Sequence, residues 1–161
     1  SEKSITIIAS YFLLGTRMRK LIKEARLRGV EVTIILSSNS DVAFIKPATT
    51  YLYDWMLRNK INIYEWKKSI LHGKLATADG VWTTVGSYNL NALSDNEQFA
   101  EDTEAMLQLI IQTGCEPVNE AEFLKNKNWI LQFSRWSSYV IIRLALRILF
   151  GLMRVRRELH F

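Results

Sequence analysis

His72 and Lys74 stand two residues apart in a run, Leu71 to Ala78, that reads as a β-strand. Side chains alternate along an extended chain, so both project from one face with Cα atoms roughly 6–7 Å apart. Gly73, Ala76 and Ala78 keep the neighbourhood small. That face offers an imidazole, an ammonium and empty space beside them, which is what an anionic substrate needs. Asp79-Gly80, the dipeptide best suited to a tight two-residue turn, joins this run to a second one, Val81 to Val85. The second run ends in Gly86-Ser87-Tyr88-Asn89, where glycine lets the backbone approach closely and Ser87 and Asn89 add short hydrogen-bonding groups. Pairing across the turn brings that hydroxyl and amide back towards His72 and Lys74. Taken singly each piece is ordinary, for a histidine in a strand is usually a satisfied polar group and a lysine usually surface. Their combination carries the signal.

The elements that must hold these residues can be read from periodicity. Ile5 to Ala9 is an opening strand. Thr16 can cap a helix whose Met18, Leu21, Ile22 and Ala25 recur at helical spacing, with basic residues on the other face and Gly29 at its end. Val30 to Leu36 is a second strand, so the first 35 or so residues have the size of a βαβ unit with a parallel pair. After the turn-rich break Ser37 to Asp41, Pro47 can open a helix with Tyr51, Leu52, Trp55 and Met56 as its core face, and Ile61 to Tyr64 alternates as a third strand. Beyond the hairpin and a polar stretch from Asn89 to Asp102, the apolar run Ala105 to Ile111 is expected to be a buried strand. Helix is expected from near Pro117, with interruptions, to the end.

The chain has 161 residues, 48% apolar and 23% charged, which suits one compact domain, or one domain with a short appendage. Seven Gly, two Pro and one Cys exclude collagen-like, low-complexity and disulfide-scaffold classes, and Cys115 alone cannot form an internal bridge. Opening on Ser1 and entering an apolar run at once, the chain is expected to be a fragment, with any targeting signal outside it. Net charge is +5. From Phe123 onward Lys125, Lys127, Arg135, Arg143, Arg147, Arg154, Arg156 and Arg157 face a single acid, Glu158, so the tail is basic and the remainder mildly acidic. Such a tail faces lipid or nucleic acid.

From His72 to Asn89 the chain spells His-X-Lys-X4-Asp-X6-Gly-Ser-X-Asn. This resembles the signature of the phospholipase D superfamily, the HKD motif with its following Gly-Ser-X-Asn, and every fixed position agrees. Including the Ile-Tyr-Glu-Trp run before the motif, the likeness covers roughly the first 110 residues and is closest to the C-terminal half of bacterial cardiolipin synthases. It implies an α/β fold, a mixed sheet flanked by helices forming one HKD half over residues 1–112, with a basic amphipathic helical tail over 113–161. In this family a glutamate in an Asn-X-Glu context buttresses the catalytic histidine. Here Asp102-Thr103-Glu104 corresponds, with Asp102 in place of Asn, and Glu101 and Glu97 are the alternatives. An arginine common after the Gly-Ser-X-Asn segment is absent, since Leu93 or Ser94 stands there.

The resemblance also implies a mechanism without metal or other cofactor. Two HKD motifs meet; one histidine attacks phosphorus to give a phosphohistidine, while the other protonates the leaving alcohol and then activates the incoming one. By analogy with the C-terminal motif, His72 is the general acid/base. Lys74 neutralises the phosphate, Ser87 and Asn89 add hydrogen bonds, and Glu104 orients the His72 ring. Asp79, though part of the motif, sits in the turn and is expected to be structural. The second motif comes from a missing upstream half or from a homodimer.

The implied reaction condenses two phosphatidylglycerol molecules to cardiolipin and glycerol at the bacterial cell membrane. The alternatives are a phospholipase D-like phosphodiesterase, a homodimeric HKD endonuclease, or a docking fragment with a vestigial motif. Between Trp129 and Val155 the apolar stretches fall short of the ~18–20 residues of a transmembrane helix. Arg143, Arg147 and Arg154 share one helical face opposite Leu and Ile. That suits an interfacial helix on anionic phospholipid, or a terminal helix packed on the domain or in a dimer.

Overall fold

A computed structural model describes the chain over residues 1–86, 92–94 and 97–158. Among the described residues, seven strands form one mixed sheet in the order β6-β5-β4-β1-β2-β3-β7. β1 (Ser4–Ala9), β2 (Glu31–Ser37) and β3 (Asn62–Trp66) run parallel, while β4 (Lys74–Ala78), β5 (Trp82–Val85), β6 (Ala92–Ser94) and β7 (Cys115–Pro117) pair antiparallel. Helix α1 (Thr16–Leu27) connects β1 to β2, and α2 (Ile45–Tyr51) with α3 (Tyr53–Arg58) connects β2 to β3. The expected α/β architecture of a mixed sheet flanked by helices is what the chain adopts.

Strand alternation assigns each face a layer. Val32, Ile34, Leu36 and Ile63 project to one side, where Leu52, Tyr53, Met56 and Tyr139 complete the larger core. Ile8 and Ile35 project to the other, against Leu107. In α1 only Ile22 and Ala25 of the apolar stripe are buried; Met18 and Leu21 are exposed. Thr16 is the first helical residue rather than its cap, since Gly15 holds the N-cap position without a side-chain bond. Gly29 ends the helix at φ +92°, where a Cβ would be strained.

The segment Ala105 to Ile111 is helical, not a strand, and belongs to α4 (Glu97–Gly114). A continuous apolar run does not by itself distinguish the two states. The burial does: Leu107, Ile110 and Ile111 pack on the sheet, at helical spacing, while Met106 and Leu109 face solvent. At the end of α4, a Cβ on Gly114 would overlap the Trp66 ring, so glycine is what lets the helix turn tightly into β7 against β3.

Helix α5 (Glu120–Lys125) is capped by Asn119, whose side chain accepts from the backbone of Ala121 and Glu122. The tail forms α6 (Trp129–Glu158), laid against α2 with Tyr51 and Tyr139 rings 5.0 Å apart. Tyr139 Oη and Arg143 Nη1 both donate to the Leu14 carbonyl, at 3.1 and 2.9 Å. Arg143 therefore serves to dock the helix on the body and is not part of an outward basic stripe. The outward surface is instead apolar, with Trp129, Phe133, Ile141 and Leu144 all exposed. No helix of the described residues is long and apolar enough to cross a membrane.

Candidate active site

The hairpin forms where expected, but its first strand starts at Lys74, so His72 lies in the extended lead-in before β4. The lead-in is pinned to the ends of two parallel strands: Leu71 N–H donates to Ser37 Oγ at 3.1 Å, and Ser10 Oγ donates to the Gly73 carbonyl at 3.5 Å. A Cβ on Gly73 would stand 3.0 Å from Ile8 Cγ2, so a larger residue would lift this segment off β1. His72 is thereby held at the carboxyl ends of β1 and β2. Its side chain is 65% exposed.

Lys74 is half-buried and has no carboxylate partner among the described residues. It pairs with Ala9, which pairs with Leu36, which pairs with Glu65, so Lys74 projects on the sheet face that carries α2 and α6. An ammonium with no carboxylate partner among the described residues, near an exposed imidazole, can neutralise and hold a phosphodiester.

Glu104 stands elsewhere. It accepts from Thr77 Oγ1, and from Thr6 Oγ1 at 3.3 Å. Thr6 and Thr77 are register partners, and alternation along β4 puts Thr77 on the face opposite Lys74. The structure brings Glu104 to these two threonines and not to His72. Glu101 is exposed on α4. Ser87 and Asn89 lie outside the described residues, as does the side chain of Glu97.

Asp79 occupies the far end of β4. The turn takes positive φ at both Asp79 and Gly80, as a tight hairpin requires, and Val81 adds an extra residue before the ladder resumes at Trp82. The Asp79 carboxylate accepts from Ser1 Oγ at 2.7 Å and from the backbone N–H of Glu2, Lys3 and Ser4 at 2.8–2.9 Å. Burial pushes its carboxyl up, but these four donors outweigh that and hold it well below the usual carboxylate range. Asp79 thus ties the segment before β1 to the hairpin, at the opposite end of β4 from His72.

What faces His72 is a pair not singled out by sequence. Asp41 Oδ2, in the loop after β2, lies 3.9 Å from His72 Nε2. The other carboxylate oxygen, Oδ1, accepts from Tyr11 Oη at 2.7 Å. That hydrogen bond holds the Asp41 carboxyl below its ordinary value and pushes the Tyr11 phenol up, so the carboxylate is ionised and the phenol is a fixed donor at neutral pH. Asp41 stands in a polar break that reads only as a turn, and no local pattern connects it with residues 30 positions away on either side.

A cavity of about 530 Å³ lies on the β3–β7 side, away from His72, with Lys46, Glu65, Lys67 and Arg135 among its lining. Lys46 and Lys67 both bind Glu65, to which the Tyr53 hydroxyl also donates at 2.8 Å. Its cations are therefore largely neutralised within the protein.

Cardiolipin synthase B of Salmonella typhi is 30% identical over 142 residues, covering 81% of this chain and 34% of the relative, so the chain spans about a third of that protein's length. In fold, the chain is similar to the phospholipase D family member Nuc from Salmonella typhimurium, with TM-score 0.60 and 18% identity over 74% of this chain and 84% of that one. It is likewise similar to phosphatidylserine synthase from Haemophilus influenzae, with TM-score 0.64 and 14% identity over 88% of this chain and 41% of that one. Residues 1–116, which hold the whole sheet up to β7 and the His72–Lys74 pair, match the family described as "Cardiolipin synthase, PLD-like domain", and the chain belongs to that family.

Proposed function

We propose that this chain is one catalytic half of a phosphatidyltransferase that condenses two phosphatidylglycerol molecules to cardiolipin and glycerol through a phosphohistidine. The observation that carries the reading is the placement of His72 and Lys74 together at the carboxyl ends of the parallel strands, the imidazole exposed and the ammonium without a carboxylate partner among the described residues. His72 acts as the general acid/base, and Lys74 neutralises the phosphoryl oxygens with help from Ser87 and Asn89. The nucleophilic histidine comes from a second HKD motif, supplied upstream in the same protein or by a second copy.

The outward apolar face of α6 fits an anionic phospholipid surface. Trp129 and Phe133 are 78% and 62% exposed, and the tail carries Arg147, Arg154, Arg156 and Arg157 against the single acid Glu158. Aromatic and aliphatic side chains bordered by cations suit the boundary between headgroups and acyl chains.

The test is glycerol release from phosphatidylglycerol vesicles by the full-length protein, beside its His72→Ala variant. Release is expected, with a diphosphatidyl product, and a loss of at least 1,000-fold in the variant. A folded protein that binds vesicles yet releases no glycerol overturns the transferase reading, and nucleic acid is then the phosphodiester to try.

A further inference from the structure

The gap between His72 and Asp41 has a chemistry of its own. Its two acceptors, His72 Nε2 and Asp41 Oδ2, are 3.9 Å apart, too far for a direct hydrogen bond. Asp41 Oδ1 is already occupied by the Tyr11 hydroxyl, which fixes the carboxylate and leaves Oδ2 turned to the imidazole. Three separate loops, after β1, after β2 and before β4, contribute one residue each. All three side chains are exposed to an incoming molecule.

We propose that Tyr11 and Asp41 form the alcohol subsite of this half, and that the alcohol they receive carries neighbouring hydroxyls. This rests on the transferase reading above and assigns the residues that receive its acceptor. Adjacent hydroxyls of a 1,2-diol lie about 3 Å apart, close to a hydrogen-bond length, and each is a donor. One hydroxyl donates to the neutral His72 Nε2 while its neighbour donates to Asp41 Oδ2, so the diol spans the gap that neither residue closes alone. In the transfer step the first hydroxyl gives its proton to Nε2 as its oxygen bonds to phosphorus. The phosphorus–nitrogen bond to the other histidine then breaks, its electron pair returning to that nitrogen.

A carboxylate also suits an ammonium, so an amino alcohol is the competing occupant. An amino alcohol would likewise place its hydroxyl on the unprotonated His72 Nε2, so the charge already present decides between the two. Lys74 on the same lead-in and strand already supplies the positive charge. An ammonium placed there meets like charge, whereas a neutral diol does not.

The experiment uses the full-length protein with one phosphatidyl donor and three soluble acceptors: glycerol, 1-propanol and ethanolamine. Transfer to each is compared for the native protein, Asp41→Asn and Tyr11→Phe. The native protein is expected to prefer glycerol to 1-propanol. In Asp41→Asn the KM for glycerol should rise and the glycerol-to-propanol ratio of kcat/KM should fall about 10-fold, the size of one lost charge-assisted hydrogen bond. Tyr11→Phe should move the ratio the same way by less. An unchanged ratio, or an equal fall with every acceptor and with water, overturns the subsite. A native preference for ethanolamine that vanishes in Asp41→Asn overturns the diol in favour of an ammonium. If no acceptor, and no water, gives His72-dependent turnover, the transferase reading itself fails and takes the subsite with it.

Discussion

Two carboxylates compete for the description of the residue that supports His72, and their surroundings separate them. Glu104 accepts from Thr77, which is 1% exposed, and from Thr6, so it satisfies two strand hydroxyls under α4. Removing it leaves a buried hydroxyl without its acceptor, which costs about 1–3 kcal/mol. Glu104→Ala is therefore expected to lower the unfolding free energy by that amount in urea, while Glu104→Gln, which keeps an oxygen for Thr77, recovers most of it. A Gln variant as stable as the native protein but slow in turnover would assign Glu104 to the imidazole instead. Asp41, by contrast, satisfies no buried group; its carboxylate accepts from Tyr11 Oη and stands 3.9 Å from the exposed His72 imidazole.

Elements matter here through the places where they meet. The junction of α4 and β7 depends on Gly114, whose missing side chain is the space that the Trp66 ring fills. An added methyl must displace either the ring or the helix end, and such overpacking typically costs about 1–3 kcal/mol. Gly114→Ala is expected to lower stability by this amount and to loosen the β3–β7 edge first, read as faster hydrogen exchange at Val118 N–H, which bonds the Ile63 carbonyl. Slowed or unchanged exchange there would show that Trp66 moves aside freely. The lead-in to β4 follows the same logic: Gly73 lies on Ile8, and the bonds from Leu71 and Ser10 hold the backbone on both sides of His72.

For the whole molecule, the outstanding feature is that α6 spends its inward side on α2 and Leu14 and presents an apolar face outward. Phe133 and Ile141, at 62% and 63% exposure, make no core contact whose loss would unfold the chain. The double variant Phe133→Glu, Ile141→Glu is expected to keep its melting temperature within about 2 °C and to lose at least 10-fold in co-sedimentation with phosphatidylglycerol vesicles. Retained vesicle binding would place the lipid contact on another surface and return this face to a protein partner. The chain spans about a third of the length of a curated relative, and on the proposed reading a second HKD motif, supplied upstream or by a second copy, completes the site.

Sequence alone determined the family, the parallel strands and the hairpin, because these are local: alternation, turn residues and fixed spacing are all contained within a few positions. It misread 105–111, where an unbroken apolar run hides its period, and it set Glu104 beside His72 by motif spacing, which does not encode the sheet face. Only the tertiary structure decided that Thr77 turns Glu104 to the opposite face, that Arg143 docks inward on Leu14, and that Tyr11, Asp41 and His72 converge from three loops. Such contacts join residues tens of positions apart, so they follow from strand order and register rather than from any neighbouring residues in the chain.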